Sequence, residues 1–281
     1  MNSTPPPLKG KFEFCFNNDL SDCEFIVGKD KCRIRGYKLF FAISSLVFRA
    51  MLYDDPKNVV TFLVEDVEQV EFNVMKQFFY TGSVHFTSSL HACSVYLASW
   101  KYVDPDLMTT CVQYIKNNIS VTEVIGVYAF SRFNNIPDIE TICYLIFQDR
   151  TREIMESEKF LSADIHTLET ILQLESLNLK SELEVFKYAE KWVLAEAGRR
   201  NIGKQQLGAH FNSITKQIRF LTMTKHQYQE GPYKSALLTA EEKQLIAHNL
   251  LGFEDELLQN SSDKTKHRVF TGNEEEEKRG E

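Results

Sequence analysis

Acid–base and metal chemistry need particular side chains brought within a few ångströms of one another. The seven histidines of this chain are scattered. His85 and His91 are the nearest pair, and Cys93, two residues after His91, is the closest approach to a ligand pair. Positions i and i+2 of a helix point to different faces, which argues against a shared metal ion there. Carboxylates cluster at Glu65, Asp66 and Glu68, and again at Glu182 and Glu184. Such runs on helices read as solvated faces, and no pair is singled out for general acid–base work. The glycine-rich phosphate loops are absent, as are the HExxH and GxSxG patterns. Only 12 of 281 residues are glycine, few for a catalyst built on glycine-rich loops. The residues therefore point away from an enzyme, and neither a cofactor nor a metal is expected.

Sulfur chemistry is equally sparse. Cys15, Cys23, Cys32, Cys93, Cys111 and Cys143 form no CxxC pair and sit among apolar neighbours. They read as reduced, buried cysteines acting as small hydrophobes. The formal net charge of −7 and the lack of a Lys/Arg stripe disfavour a nucleic-acid partner. The short basic run Lys264, Lys266, His267, Arg268 lies in a polar stretch and reads as solvated. No apolar run reaches membrane-span length, and the start Met-Asn-Ser-Thr-Pro-Pro-Pro lacks the layout of a signal peptide. A cytoplasmic protein is expected, with the nucleus as the alternative, and no membrane partner.

The elements that would carry any site come in two kinds. Cys23–Val27 and Lys31–Arg35 are short strand candidates around a Gly28-Lys29-Asp30 turn, and Val59–Val64 is a third. Tyr37 to Tyr53 has helical spacing, with Phe40, Ile43, Val47, Phe48 and Met51 as apolar positions. A helix over Val70–Tyr80 ends at Gly82 as its C-cap. Beyond Phe86 the pattern is helical: Leu90–Val103, Leu107–Ile119 after Pro105, Val121–Phe133, Ile136–Gln148, Leu168–Leu174, Ser181–Glu196, Gln205–Ile214 and Glu241–Leu251. Ser120/Glu123 and Ser181/Glu184 fit capping boxes. Leu8, Phe12 and Phe16 suit a helix face, while Phe12, Phe14 and Phe16 also alternate as a strand would. Mixed elements followed by helices alone predict an α+β domain joined to an all-α one, and the length suits about two domains. Residues 1–7 read as a disordered Pro-rich leader, and 256–281 as a disordered acidic tail.

Three ordered blocks carry a resemblance. Asp19 to Val27 is similar to the opening of a BTB (POZ) domain. Gly36 to Met51 resembles that family's central signature, a basic residue, an apolar helix start, a Ser pair, an aromatic and Ala-Met. Val64-Glu65-Asp66-Val67, then Phe72 through Tyr80-Thr81-Gly82, resembles the third block. The likeness covers 8–119. Residues 120–255 look like a BACK region, through Asn117 to Phe133, Phe160 to Asp164, Glu184 to Trp192 and Ile218 to Thr224. The pattern is nearest to BTB proteins whose BACK region precedes a PHR domain, which this chain does not contain. The family's usual His before the basic residue is Tyr37 here. Its apolar-x-Glu motif, linked to cullin-3, is Phe86-Thr87-Ser88, with the Glu missing.

The resemblance implies an α+β BTB/POZ domain, an all-α BACK region, and a dimeric adaptor that recruits clients to a cullin-3 RING ubiquitin ligase. The alternative is a non-catalytic scaffold or a heterodimerising regulator of related BTB proteins. Leu8, Phe12, Phe16, Asp22, Lys38 and Phe40 match the dimer interface; Tyr53, His85 and Phe86 match the cullin-facing surface. Burying one apolar side chain of such a stripe is worth about 1.5–3 kcal/mol, and a two-fold pairing buries each twice. Phe86 has a second reading, as a core residue closing the segment after Gly82. The client protein is not named by the residues.

Overall fold

The computed structural model describes residues 20–54, 60–251 and 266–272. Leu8, Phe12 and Phe16 lie outside the described residues, as do 1–7 and 273–281. The chain divides into two compact units, one holding Met1–Ile119 and Phe133–Asn135, the other Ser120–Arg132 and Ile136–Glu281.

The first unit is α+β. Strand β1 (Cys23–Val27) lies between β2 (Cys32–Gly36), to which it runs antiparallel, and β3 (Thr61–Val64), to which it runs parallel. Alternation puts Cys23, Phe25 and Val27 on the buried face. The turn between β1 and β2 is closed by the Lys31 N–H donating to the Gly28 carbonyl (3.1 Å). Phe25 anchors an aromatic core: the rings of Phe41, Phe72, Phe48 and Phe62 lie 4.5, 5.1, 5.7 and 5.9 Å from it. Edge-on and tilted packing of this kind suits the ring quadrupoles.

Tyr37 to Tyr53 is not the one helix that its spacing predicts. It is α1 (Lys38–Ser44) and α2 (Leu46–Tyr53), broken at an extended Ser45. Buried Ser45 accepts the Phe48 N–H at the start of α2, and its hydroxyl donates to the Tyr102 carbonyl. Capping and a satisfied carbonyl replace the continuous helix ladder. Helix α3 (Gln69–Thr81) ends at Gly82 with φ +65°, the left-handed C-cap that its glycine predicts. Helices α4 (Ser89–Lys101) and α5 (Pro105–Asn118) complete the unit, with Pro105 opening α5 behind an Asp104 cap.

The second unit is mainly helical: α6 (Val121–Phe133), α7 (Pro137–Asp149), α8 (Thr151–Glu156), α9 (Glu158–Leu161), α10 (Ile165–Gln173), α11 (Glu182–Arg200), α12 (Leu207–His210), α13 (Asn212–Thr215), α14 (Lys225–Glu230) and α15 (Ala240–Leu250). Gln205 to Ile214 is a 3₁₀ turn and two short helices instead of one helix. Buried Trp192 donates to the Ala163 carbonyl (3.2 Å) and meets Phe211 edge-on. Ser181 makes no side-chain cap, and Glu184 does not return to it, its carboxylate being drawn to Arg152 and to the Lys180 N–H. Ser120 makes half of its box, its N–H reaching Glu123 at 3.4 Å. Complete capping boxes stand instead at Thr224/Gln227 and Thr239/Glu242.

The expected disordered tail fails at its described part. Strand β4 (Ser176–Leu177) pairs in parallel with β5 (Val269–Phe270). Arg268, read as solvated, is buried and ion-paired with Glu182, read as part of a solvated face, at 3.0 Å. Composition averages over the segment, whereas a buried guanidinium–carboxylate pair and a short strand pairing hold these few residues.

Candidate functional site

Where α1 begins, residues from three elements converge. The Lys38 backbone N–H donates to the Asp22 carboxylate at 2.7 Å. The carboxylate thus meets an orphan donor at the positive end of the helix. The Lys38 ammonium lies over the Phe62 ring, 5.5 Å from its centre. Asp22 and Lys38, both matched to the dimer interface by the resemblance, are joined through the Lys38 main chain at a helix start. Next to them the Tyr37 N–H donates to the Tyr80 hydroxyl (3.0 Å). Phe40, half-buried, packs on Tyr80 at 4.8 Å and edge-on to Tyr37 at 6.3 Å.

Lys76 is buried below this corner. Its ammonium donates to the Arg35 carbonyl (2.5 Å) and faces the Tyr80 ring. Burial holds the Lys76 pKa below the ordinary lysine value. On β1, burial pushes the Cys23 thiol up from 9.0 to about 12, with the Asp22 charge adding to it. Cys23, Cys32, Cys93, Cys111 and Cys143 are free thiols, all buried except the half-buried Cys32.

Three large apolar side chains nearby face solvent: Leu39 at 60%, Ile43 at 69% and Leu46 at 69% exposure. Leu39 and Ile43 stand four residues apart on α1 and so share a face. Sequence reasoning did not select Leu39 or Leu46. The available signal was an excess of apolar residues, more than one face of Tyr37–Tyr53 can bury.

The second candidate surface is not brought together as a set. Tyr53, at the end of α2, is 56% exposed, and His85 is exposed. Phe86 is a correction: it is 4% exposed and packs on Tyr114 at 4.8 Å and edge-on to His91 at 6.1 Å. Its core reading holds, because the ring fills the space between its own segment, α4 and α5. A buried ring cannot also serve as an anchor in a partner's pocket. Ser88, at the position of the missing Glu, is the N-cap of α4 and accepts the His91 N–H (3.0 Å). The His91 Nδ1 is engaged by Thr87 (3.0 Å to its hydroxyl). Of the carboxylates at 65–68, Asp66 accepts the Tyr102 hydroxyl at 2.9 Å, a structural contact.

The BTB/POZ domain model matches residues 12–119, and the BACK (BTB And C-terminal Kelch) model matches 124–207. BTB/POZ domain-containing protein 6-B of Danio rerio is 28% identical over 246 residues, 85% of this chain and 51% of that protein. BTB/POZ domain-containing protein 3 of Homo sapiens is 28% identical over 247 residues, 84% of this chain and 46% of that protein. The chain spans about half the length of these curated relatives. Among solved structures, the BTB domain of human Gigaxonin is similar at 16% identity and TM-score 0.34, over 41% of this chain and 96% of that one. The chain belongs to the BTB/POZ-domain proteins and carries a BTB/POZ domain followed by a BACK region.

Proposed function

We propose that this chain is a dimeric, non-catalytic protein-interaction adaptor that recruits clients to a cullin-3 RING ubiquitin ligase. The BTB and BACK matches and the BTB/POZ relatives support the adaptor role. One observation carries the dimer: Leu39 and Ile43 expose an apolar row on α1, beside the Asp22–Lys38 junction and Phe40. In a two-fold pairing each of these side chains is buried twice, at about 1.5–3 kcal/mol apiece. Leu8, Phe12 and Phe16 belong to the same proposed interface.

The dimer test changes only exposed residues. Light scattering of the wild type is expected to give twice the 32.6 kDa chain mass. Leu39→Asp with Ile43→Asp is expected to give the single mass with unchanged circular dichroism. A wild type of single mass at micromolar concentration removes the dimer.

The cullin contact is assigned to exposed Tyr53 and His85, with buried Phe86 supporting the segment that carries His85. Purified cullin-3 is expected to retain the wild-type chain and to lose Tyr53→Asp. Phe86→Ala is the wrong probe, since removing a buried ring costs about 3–5 kcal/mol and would report on folding. A specific observation favours the second reading, a scaffold or heterodimerising regulator without cullin: Ser88 stands where the motif's Glu would be and is spent on capping α4. Absence of retention at micromolar concentration selects that reading.

A further inference from the structure

We propose that the cleft between β4 and the start of α11 is a binding site for an extended, arginine-bearing peptide, and that residues 266–272 are its tethered ligand. The proposal is independent of the cullin reading.

The arginine pocket is complete on three sides. The Arg268 Nε donates to Glu182 Oε2 (3.0 Å), Nη1 to the Leu174 carbonyl (2.6 Å) and Nη2 to the Gln217 carbonyl (2.8 Å). The guanidinium side chain is 0% exposed and that of Glu182 2%. A planar fork with three separate nitrogens reaches three acceptors at once, whereas a lysine ammonium is a single point charge. Glu182 has a second donor in the cleft wall itself: the Arg219 N–H reaches Oε1 at 2.8 Å. The carboxylate therefore keeps one partner when the arginine leaves, and departure of the segment opens its other oxygen to water.

After the arginine the segment adds to β4 as a strand. The Val269 N–H donates to the Glu175 carbonyl (2.9 Å), Thr271 to Leu177 (3.1 Å) and Gly272 to Leu179 (3.2 Å). A Cβ on Gly272 would lie 2.8 Å from the Leu179 carbonyl, so the site requires glycine there. Two residues before the arginine, the Lys266 ammonium stands 3.5 Å from Glu175, which Arg219 also holds. Val269 is 60% exposed and Phe270 half-buried, so Phe270 is the apolar side chain that helps to fasten the segment. Main-chain pairing supplies affinity, and the acidic pocket and the glycine step supply specificity, as in strand-addition peptide sites. The ligand class is lysine, any residue, arginine, three extended residues, glycine.

The test uses the full chain with a protease site inserted between Asn260 and Ser261. After cleavage, fragment 261–281 is expected to co-elute with the body on gel filtration, and excess peptide of the 266–272 sequence is expected to displace it. Arg268→Ala, a change in the ligand alone, is expected to release the fragment about a hundredfold faster. Glu182→Gln is expected to act in the same direction. Arg268→Lys is expected to rescue little. Release from the wild type as fast as from Arg268→Ala overturns the proposal. So does loss of the helical signal on cleavage, since the segment would then be part of the fold and not a ligand.

Discussion

Cys23 faces inward on β1, and burial holds its thiol at about 12 against an ordinary 9.0. The neutral form is the one that the fold accommodates. Its contribution to stability is thus fully present below pH 9 and is lost as the pH rises through about 12. Urea midpoints are expected to fall between pH 9 and 11, and Cys23→Ala is expected to flatten that decline. Native protein at pH 8 is expected to leave Cys23 unalkylated, because the thiolate is the nucleophile; labelling at the denatured rate would refute the assignment. That Cys23, Cys93, Cys111 and Cys143 are buried thiols was legible from their neighbours; Cys32 is half-buried, and Cys15 lies outside the described residues. The fate of Phe86 was not, since an aromatic after a turn suits a core or an anchor equally. Only Tyr114 and His91, 28 and five residues on, decide it.

At the scale of elements, punctuation residues were the readable part. Gly82, Pro105 and Pro137 sit where α3, α5 and α7 end or begin. The break at Ser45 was not readable, because it depends on the Tyr102 carbonyl, 57 residues away. Ser45→Ala removes the cap of α2 and leaves that carbonyl unsatisfied. A loss of about 1–3 kcal/mol is expected by urea unfolding, and a variant as stable as the wild type would assign the break elsewhere. Ser181/Glu184 shows the converse error. The motif has the right residues, but Arg152 offers the Glu184 carboxylate a charged partner at 3.0 Å, and that charge-assisted bond outcompetes its return to the Ser181 N–H.

For the whole molecule, the order of an α+β unit and a helical one was legible from periodicity. What escaped was any contact made by a single residue across a long stretch of chain, Arg268 above all. The proposed dimer has a thermodynamic signature at this scale. Association that binds only folded chain makes the melting temperature rise with protein concentration. That dependence is expected for the wild type and is expected to vanish in Leu39→Asp with Ile43→Asp. A melting temperature independent of concentration in both would count against the dimer.

The pairing of Glu182 with Arg268 spans 86 residues. A ribosome adding about 5–20 residues per second takes roughly 4 to 17 s to cover that distance. During synthesis the acid therefore waits for its guanidinium after the helices around it have emerged. The Arg219 amide, 37 residues on, reaches it first. For those seconds the nascent chain presents an open acidic slot beside an unpaired strand edge, a window in which a chaperone or another basic segment can compete for it.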